Sequence, residues 1–170
     1  LLTGGEALSV PHVRRAQAAL PGVTLINGYG PTEGTTFTCC HAINDLQALQ
    51  TRVPIGKPIA NTTAYILGPD MQPVAIGEKG ELYTGGEGVA LGYWQQPELT
   101  AAQFIPDPFS KHPNAKLYRT GDQVRWLPDG TIDFLGRGDG QVKVRGFRVE
   151  LGEIENAISA VAGVKDRVVV

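Results

Sequence analysis

The residues able to do chemistry gather in a few short glycine-rich stretches. Asn27-Gly-Tyr-Gly-Pro-Thr-Glu-Gly-Thr-Thr36 holds three glycines and three threonines beside one acid and one aromatic ring. Gly28 and Gly30 can take positive φ and let the backbone approach a ligand. Successive N–H groups in such a stretch can form an anion-binding nest. The hydroxyls of Thr32, Thr35 and Thr36 can donate to phosphate oxygens. Glu33 supplies the oxygen ligand that Mg²⁺ prefers, and Tyr29 offers a flat face for a base. Together they suit a nucleoside triphosphate with its metal. The same residue types also make an ordinary surface turn, and composition alone does not separate the two.

A second stretch is Tyr118-Arg-Thr-Gly-Asp122, whose aspartate can accept both hydroxyls of a ribose; it also reads as a turn leading into a strand. Arg137 and Asp139 bracket a glycine, and Lys143, Arg145 and Arg148 form a basic stripe that equally describes a solvated face. Cys39 and Cys40 are adjacent, and His12, His41 and His112 are scattered. No zinc-like spacing results. A reduced, buried thiol pair in a cytoplasmic protein is the expectation.

Several elements must carry these stretches. The spacing predicts a helix over 9–20, with Pro11 in its first turn, and a buried strand over 23–26 that leads into the first motif. A second strand over 35–43 follows. This is the pattern of an α/β sheet with a ligand beyond the strand ends. From residue 53 short strands recur at 63–67, 80–84, 123–126 and 131–135, separated by turn signals, as in an antiparallel sheet or small barrel. Trp126-Leu-Pro-Asp-Gly130-Thr-Ile reads as a hairpin. Residues 95–114, rich in proline, read as a long loop. Residues 141–149 alternate as a hairpin does, 150–161 repeat as a helix, and 168–170 begin a strand. Gly136-Arg-Gly-Asp-Gly140 reads as a hinge.

The chain has 170 residues and a net charge of −2. No basic face of the kind nucleic-acid binders carry is expected, and no apolar run reaches the roughly 18–20 residues of a membrane span. The chain opens on Leu1-Leu2, its one methionine is Met71, and it stops within an apolar run. It therefore reads as an internal piece of a longer protein.

Each motif is weak alone, but their order is not. Asn27-Gly-Tyr-Gly-Pro-Thr-Glu33, Gly80-Glu-Leu through Gly92-Tyr93, Tyr118-Arg-Thr-Gly-Asp122 and the run from Gly136 to Glu155 follow one another. Together they resemble the adenylation domains of nonribosomal peptide synthetases, in the adenylate-forming superfamily. The last run, with Gln141-Val-Lys-Val-Arg and Glu150-Leu-Gly-Glu-Ile-Glu155, is its most specific part. Pro97-Glu-Leu-Thr and Phe104-Ile-Pro-Asp-Pro-Phe109 fit the same family.

The resemblance implies a mixed α/β fold, the C-terminal part of the large core. It divides into an α/β portion (1–52), a distorted barrel-like portion (53–137), and the hinge and start of a small C-terminal domain (138–170). It implies that an amino-acid carboxylate attacks the α-phosphate of ATP. Aminoacyl-AMP and pyrophosphate result, and the aminoacyl group then passes to the phosphopantetheine thiol of a carrier domain. A condensation domain is the further expected partner; neither nucleic acid nor membrane is. Tyr29 would stack on adenine and Asn27 would bond its amino group, with Gly5, Glu6 and Gly30 lining that side. Thr32 would contact phosphate, Glu33 would hold Mg²⁺, and these two would be the catalytic pair. Asp122 would take the ribose hydroxyls with Arg137 assisting, and Asp139 would be the hinge. Leu2, Gly4, Gly28, Thr36 and Phe37 would line an uncharged, valine-like pocket.

Leu91 stands where arginine is frequent in that family, and Gln123 where leucine is. The family's phosphate loop and catalytic lysine fall outside these residues, so the piece alone is expected to be inactive. Two alternatives remain open at this point: an acyl- or aryl-CoA ligase of the same superfamily, and a binding piece without catalysis.

Overall fold

In the computed structural model two sheets carry almost every motif; it describes residues 1–47, 49, 51–139, 141–144, 147–149, 151–159, 161 and 164. In the first sheet β1 (Leu2–Gly4) runs parallel to β2 (Leu25–Tyr29), and α1 (Val10–Ala19) connects them. Pro11 occupies the first turn of α1, where its missing N–H costs nothing. Val10 and Val13 bury the helix against Leu25, Ile43, Leu49 and Val53. β3 (Cys39–Ile43) pairs antiparallel with β2, and β4 (Lys57–Pro58) pairs with β3.

The second sheet is antiparallel throughout. It comprises β5 (Thr62–Leu67), β6 (Gly80–Gly86), β7 (Phe104–Pro106), β8 (Lys116–Trp126) and β9 (Ile132–Arg137). The order is β5-β6-β8-β7, with β9 also on β8. β8 is 11 residues long and reaches three partners along its length. Its face alternates as the pleat requires: Tyr118, Thr120, Asp122 and Val124 are all buried. The β8–β9 hairpin turns through Pro128-Asp-Gly130, with Gly130 at φ +76°. Tyr29, Cys39, Ile55, Ile66, Leu82, Val124 and Ile132 form one core between the two sheets.

Beyond them β10 (Val142–Val144) and β11 (Phe147–Val149) pair antiparallel, as the alternation predicts, and α3 (Leu151–Ser159) follows. The strand expected at 168–170 lies outside the described residues.

Several expectations are corrected. Residues 95–114 are not one loop: they contain α2 (Pro97–Gln103) and β7. Pro97 acts as a helix starter rather than a breaker. The strand expected from 123 begins at Lys116, so Tyr118-Arg-Thr-Gly-Asp122 lies within β8. The hinge signal starts late, because Gly136 and Arg137 still belong to β9. Neither Gly28 nor Gly30 has positive φ; Asn27-Gly-Tyr29 is the end of β2, and these glycines serve close packing instead.

Candidate functional site

At the end of β2 the Tyr29 ring is buried, and its hydroxyl donates to Asp122 Oδ2. Asp122 sits opposite Arg137 in the β8–β9 register. Arg137 Nη1 donates to Asp122 Oδ1 at 2.8 Å. The same guanidinium holds Asp139, through Nε to Oδ1 at 2.9 Å and through Nη2 to Oδ2. A continuous chain thus runs Tyr29–Asp122–Arg137–Asp139. Only its last member is open to solvent: the side chains of Asp122, Arg137 and Asp139 are 3%, 9% and 38% exposed. Thr120 Oγ1 anchors β8 just before Asp122, donating to the Leu82 carbonyl at 2.7 Å and accepting from the Asp122 amide at 3.0 Å.

The electrostatics follow from burial. Desolvation, then the negative charge of Asp122, push the Tyr29 phenol well above its ordinary 10.0. Burial alone would raise the Asp139 carboxyl, but the Arg137 hydrogen bond, the Gln141 amide and the guanidinium charge outweigh it and hold it below 3.8. Burial alone would lower the Arg137 guanidinium; Asp139 and Asp122 outweigh it and hold it above its ordinary value.

A cleft of about 280 Å³ adjoins this chain. It gathers six of the expected residues: Gly5 and Glu6 after β1, and Asn27, Gly28, Tyr29 and Gly30. Asn27 Nδ2 donates to the Pro54 carbonyl at 2.9 Å, which fixes the carboxamide. Arg52, Phe134 and Leu135 are among the other lining residues, none of these three marked by a motif. Phe134 lies 6.4 Å from the Tyr29 ring, tilted by 40°. A larger cleft, about 1020 Å³, lies between His41, Asp45, Arg52, Arg125, Asp129 and Asp133. None of the expected site residues lines it, so volume is the poorer guide here.

The expected amino-acid pocket gathers around Gly28. Gly4 pairs with it in register, and a Cβ on Gly4 would fall 2.0 Å from the Gly28 carbonyl oxygen. A Cβ on Gly28 would meet Phe37 Cε1 at 2.5 Å and Leu2 Cδ1 at 3.1 Å. Beside it, a Cβ on Gly30 would meet the Thr36 carbonyl oxygen at 2.5 Å. Leu2, Gly4, Thr36 and Phe37 nevertheless do not line the 280 Å³ cleft.

Thr32 and Glu33 also stand apart from that cleft, in a single 3₁₀ turn (Thr32–Gly34). Glu33 Oε1 accepts from the Tyr93 hydroxyl at 2.6 Å. The sequence motif containing Tyr93 carries no chemistry by residue type, so this contact is not legible in the sequence. Among the described residues no group of three or more His, Cys, Asp or Glu side chains could hold a metal. One carboxylate completed by substrate phosphates is, however, an ordinary Mg²⁺ arrangement, and the half-buried Glu33 fits it.

Residues 1–94 match the family described as AMP-binding enzyme. The chain belongs to that family, and its likeness to nonribosomal peptide synthetases extends well past the matched segment. It is 57% identical over 169 residues, 99% of its length, to tyrocidine synthase 3 of Brevibacillus parabrevis. It is 51% identical over 170 residues to surfactin synthase subunit 3 of Bacillus subtilis (strain 168). The chain spans 2% and 13% of those relatives' own lengths. It also superposes on PA1221, an NRPS protein containing adenylation and PCP domains, with TM-score 0.90 and 44% identity. That match covers 98% of this chain and 34% of the other. Among the described residues no helix is long and apolar enough to cross a membrane.

Proposed function

We propose that the chain forms one wall of the site of an amino-acid-activating adenylation domain in nonribosomal peptide synthesis. The observation that carries this reading is the Tyr29–Asp122–Arg137 network beside the cleft that Asn27 and Tyr29 line. Paired, buried titratable groups of this kind beside a cleft are characteristic of ligand sites. The relatives named above favour amino-acid activation over acyl-CoA ligation.

The substrates are ATP and an amino acid. Tyr29 supports the adenine, and the Asn27 carboxamide, with its donor end on Pro54, presents its oxygen to the adenine amino group. Gly5, Glu6 and Gly30 border the same base. Asp122 accepts the ribose hydroxyls while Arg137 balances its charge. Thr32 donates to a phosphate oxygen. Glu33 would hold Mg²⁺, which neutralises charge on the phosphates when bound. The amino-acid carboxylate attacks the α-phosphorus, the bond to the pyrophosphate oxygen breaks, and aminoacyl-AMP forms. Fixed donors and charges aimed at the phosphates are the main source of rate in such a step.

Leu2, Gly4, Gly28, Thr36 and Phe37 present no charge to a substrate side chain, which favours a branched aliphatic amino acid, valine-like. Asp139 is the hinge between 1–137 and 138–170, and its turning exposes the adenylate to the phosphopantetheine thiol of a carrier domain. A condensation domain then takes the carrier-bound product. The free thiols Cys39 and Cys40 suit a reducing, cytoplasmic setting.

The test is AMP binding by calorimetry to an adenylation module carrying this chain. Asp122→Asn is expected to weaken AMP about tenfold or more, the worth of hydrogen bonds to a charged group. Unchanged affinity would remove Asp122 from the ribose site.

A further inference from the structure

Tyr93 has no part in the function proposed above, yet its hydroxyl reaches the carboxylate read there as the metal ligand. We propose that Tyr93 is a positioning residue that fixes the Glu33 carboxylate for the divalent cation carried by a nucleoside triphosphate. The proposal rests on the reading of Glu33 just given.

Glu33 needs such a device because of where it sits. Its 3₁₀ turn spans three residues and ends at Thr35, whose φ of +74° is unusual for a β-branched side chain. So short a turn does not by itself select one orientation for a long side chain. Three contacts reach it from residues 88–93. The Tyr93 hydroxyl donates to Glu33 Oε1 at 2.6 Å, and the Ala90 amide donates to the Glu33 carbonyl at 2.8 Å. Thr35 Oγ1 donates to the Gly88 carbonyl at 2.7 Å. Backbone and carboxylate are therefore held by the same segment.

Tyr93 is itself fixed. Its amide donates to Thr100 Oγ1 at 2.8 Å, tying it to α2. Its ring meets Phe104 edge-on, centroids 5.4 Å apart at 70°, and Phe104 is only 4% exposed. Gly92 admits no side chain, since a Cβ would lie 2.3 Å from Thr100 Cγ2. The order of α2 and β7 is thus passed through one phenol to one carboxylate. Ligands supported in this way bind metal more tightly than unsupported ones.

The test uses Tyr93→Phe in an adenylation module carrying this chain, because phenylalanine keeps the ring and its packing. Mn²⁺ is the probe, its affinity read by electron paramagnetic resonance with a non-hydrolysable ATP analogue. AMP binding without metal is read by calorimetry. Tyr93→Phe is expected to weaken Mn²⁺ about tenfold and to leave AMP affinity unchanged. In a Glu33→Ala background it is expected to add nothing, since the carboxylate that Tyr93 holds is gone. Unchanged Mn²⁺ affinity overturns the proposal, and so does an equal loss of AMP affinity or an additive loss beside Glu33→Ala. If the unaltered module binds AMP but no Mn²⁺–nucleotide, Glu33 is not the ligand and the proposal falls with that reading.

Discussion

The hydroxyl of Tyr29 donates to the carboxylate of Asp122, across 93 residues of sequence. The contact joins the end of β2 in the first sheet to the middle of β8 in the second. It places a phenol ring and a buried carboxylate side by side where the two sheets meet.

Tyr29→Phe removes this donor while keeping the ring. Asp122 retains Arg137 at 2.8 Å, so the expected loss is about 1–3 kcal/mol, that of one buried hydrogen bond to a charged group. Urea unfolding at neutral pH measures it. The pH dependence has a definite sign. Burial and Asp122 raise the Tyr29 phenol well above 10.0, so this contribution is complete below pH 10. Above that the unfolded phenol ionises while the folded one does not, and stability falls as pH rises. Tyr29→Phe is expected to make the alkaline fall shallower; an unchanged slope would contradict the assignment.

Arg137 and Asp139 are expected to differ in importance. Truncating Arg137 to alanine leaves the Asp122 carboxylate without its counter-charge in a buried place, at a cost of about 3–5 kcal/mol. Asp139→Asn removes a partner whose side chain is 38% exposed, and is expected to cost no more than about 1 kcal/mol. Chemical denaturation of the two variants checks the ranking.

The two glycines of the expected amino-acid pocket should also separate. A Cβ on Gly4 meets a backbone oxygen at 2.0 Å, whereas one on Gly28 meets the Phe37 ring at 2.5 Å. Backbone in a sheet cannot yield as a ring can. Gly4→Ala is expected to lose about 1–3 kcal/mol by prising β1 from β2, and Gly28→Ala less. Thermal unfolding decides between them.

Phe37→Ala opens the space above Gly28. Amino-acid-dependent exchange of pyrophosphate into ATP with a larger amino acid, phenylalanine for example, is expected to rise about tenfold or more relative to valine, in line with the discrimination apolar pockets provide. An unchanged ratio would remove Phe37 from the pocket.

The regular elements are legible because their residues obey simple periods. β5, β9 and the β10–β11 hairpin follow from alternation and β-branched residues, and α1 and α3 from spacing along one face. α2 and β7 are hidden by the prolines at 97, 106, 108 and 113, which signal breaks when read locally. Pro97 instead starts a helix, and Pro106 ends a short strand at the sheet edge. Tyr118–Asp122 reads as a turn because aspartate is a poor strand residue. Asp122 lies within β8, held there by Tyr29 and Arg137, and no local pattern shows a partner so distant. Gly28 and Gly30 read as sites of conformational freedom. Phe37 and Thr36 come close enough to demand a missing Cβ instead, a requirement of packing that sequence spacing does not carry. The motifs name Asn27 and Tyr29, which line one cleft, and Asp122 and Arg137, which join Tyr29 in one network, but give no hint of Phe134 or Arg52, nor that Tyr93 reaches Glu33.

Amino-acid-dependent exchange of pyrophosphate into ATP, run with each of the twenty amino acids on an adenylation module carrying this chain, tests the central claim most directly. Exchange is expected with branched aliphatic amino acids, strongest for valine, and strongly reduced by Asp122→Ala. Exchange with glutamate or lysine but not valine would contradict the pocket, and no exchange with any amino acid would contradict the proposed function itself.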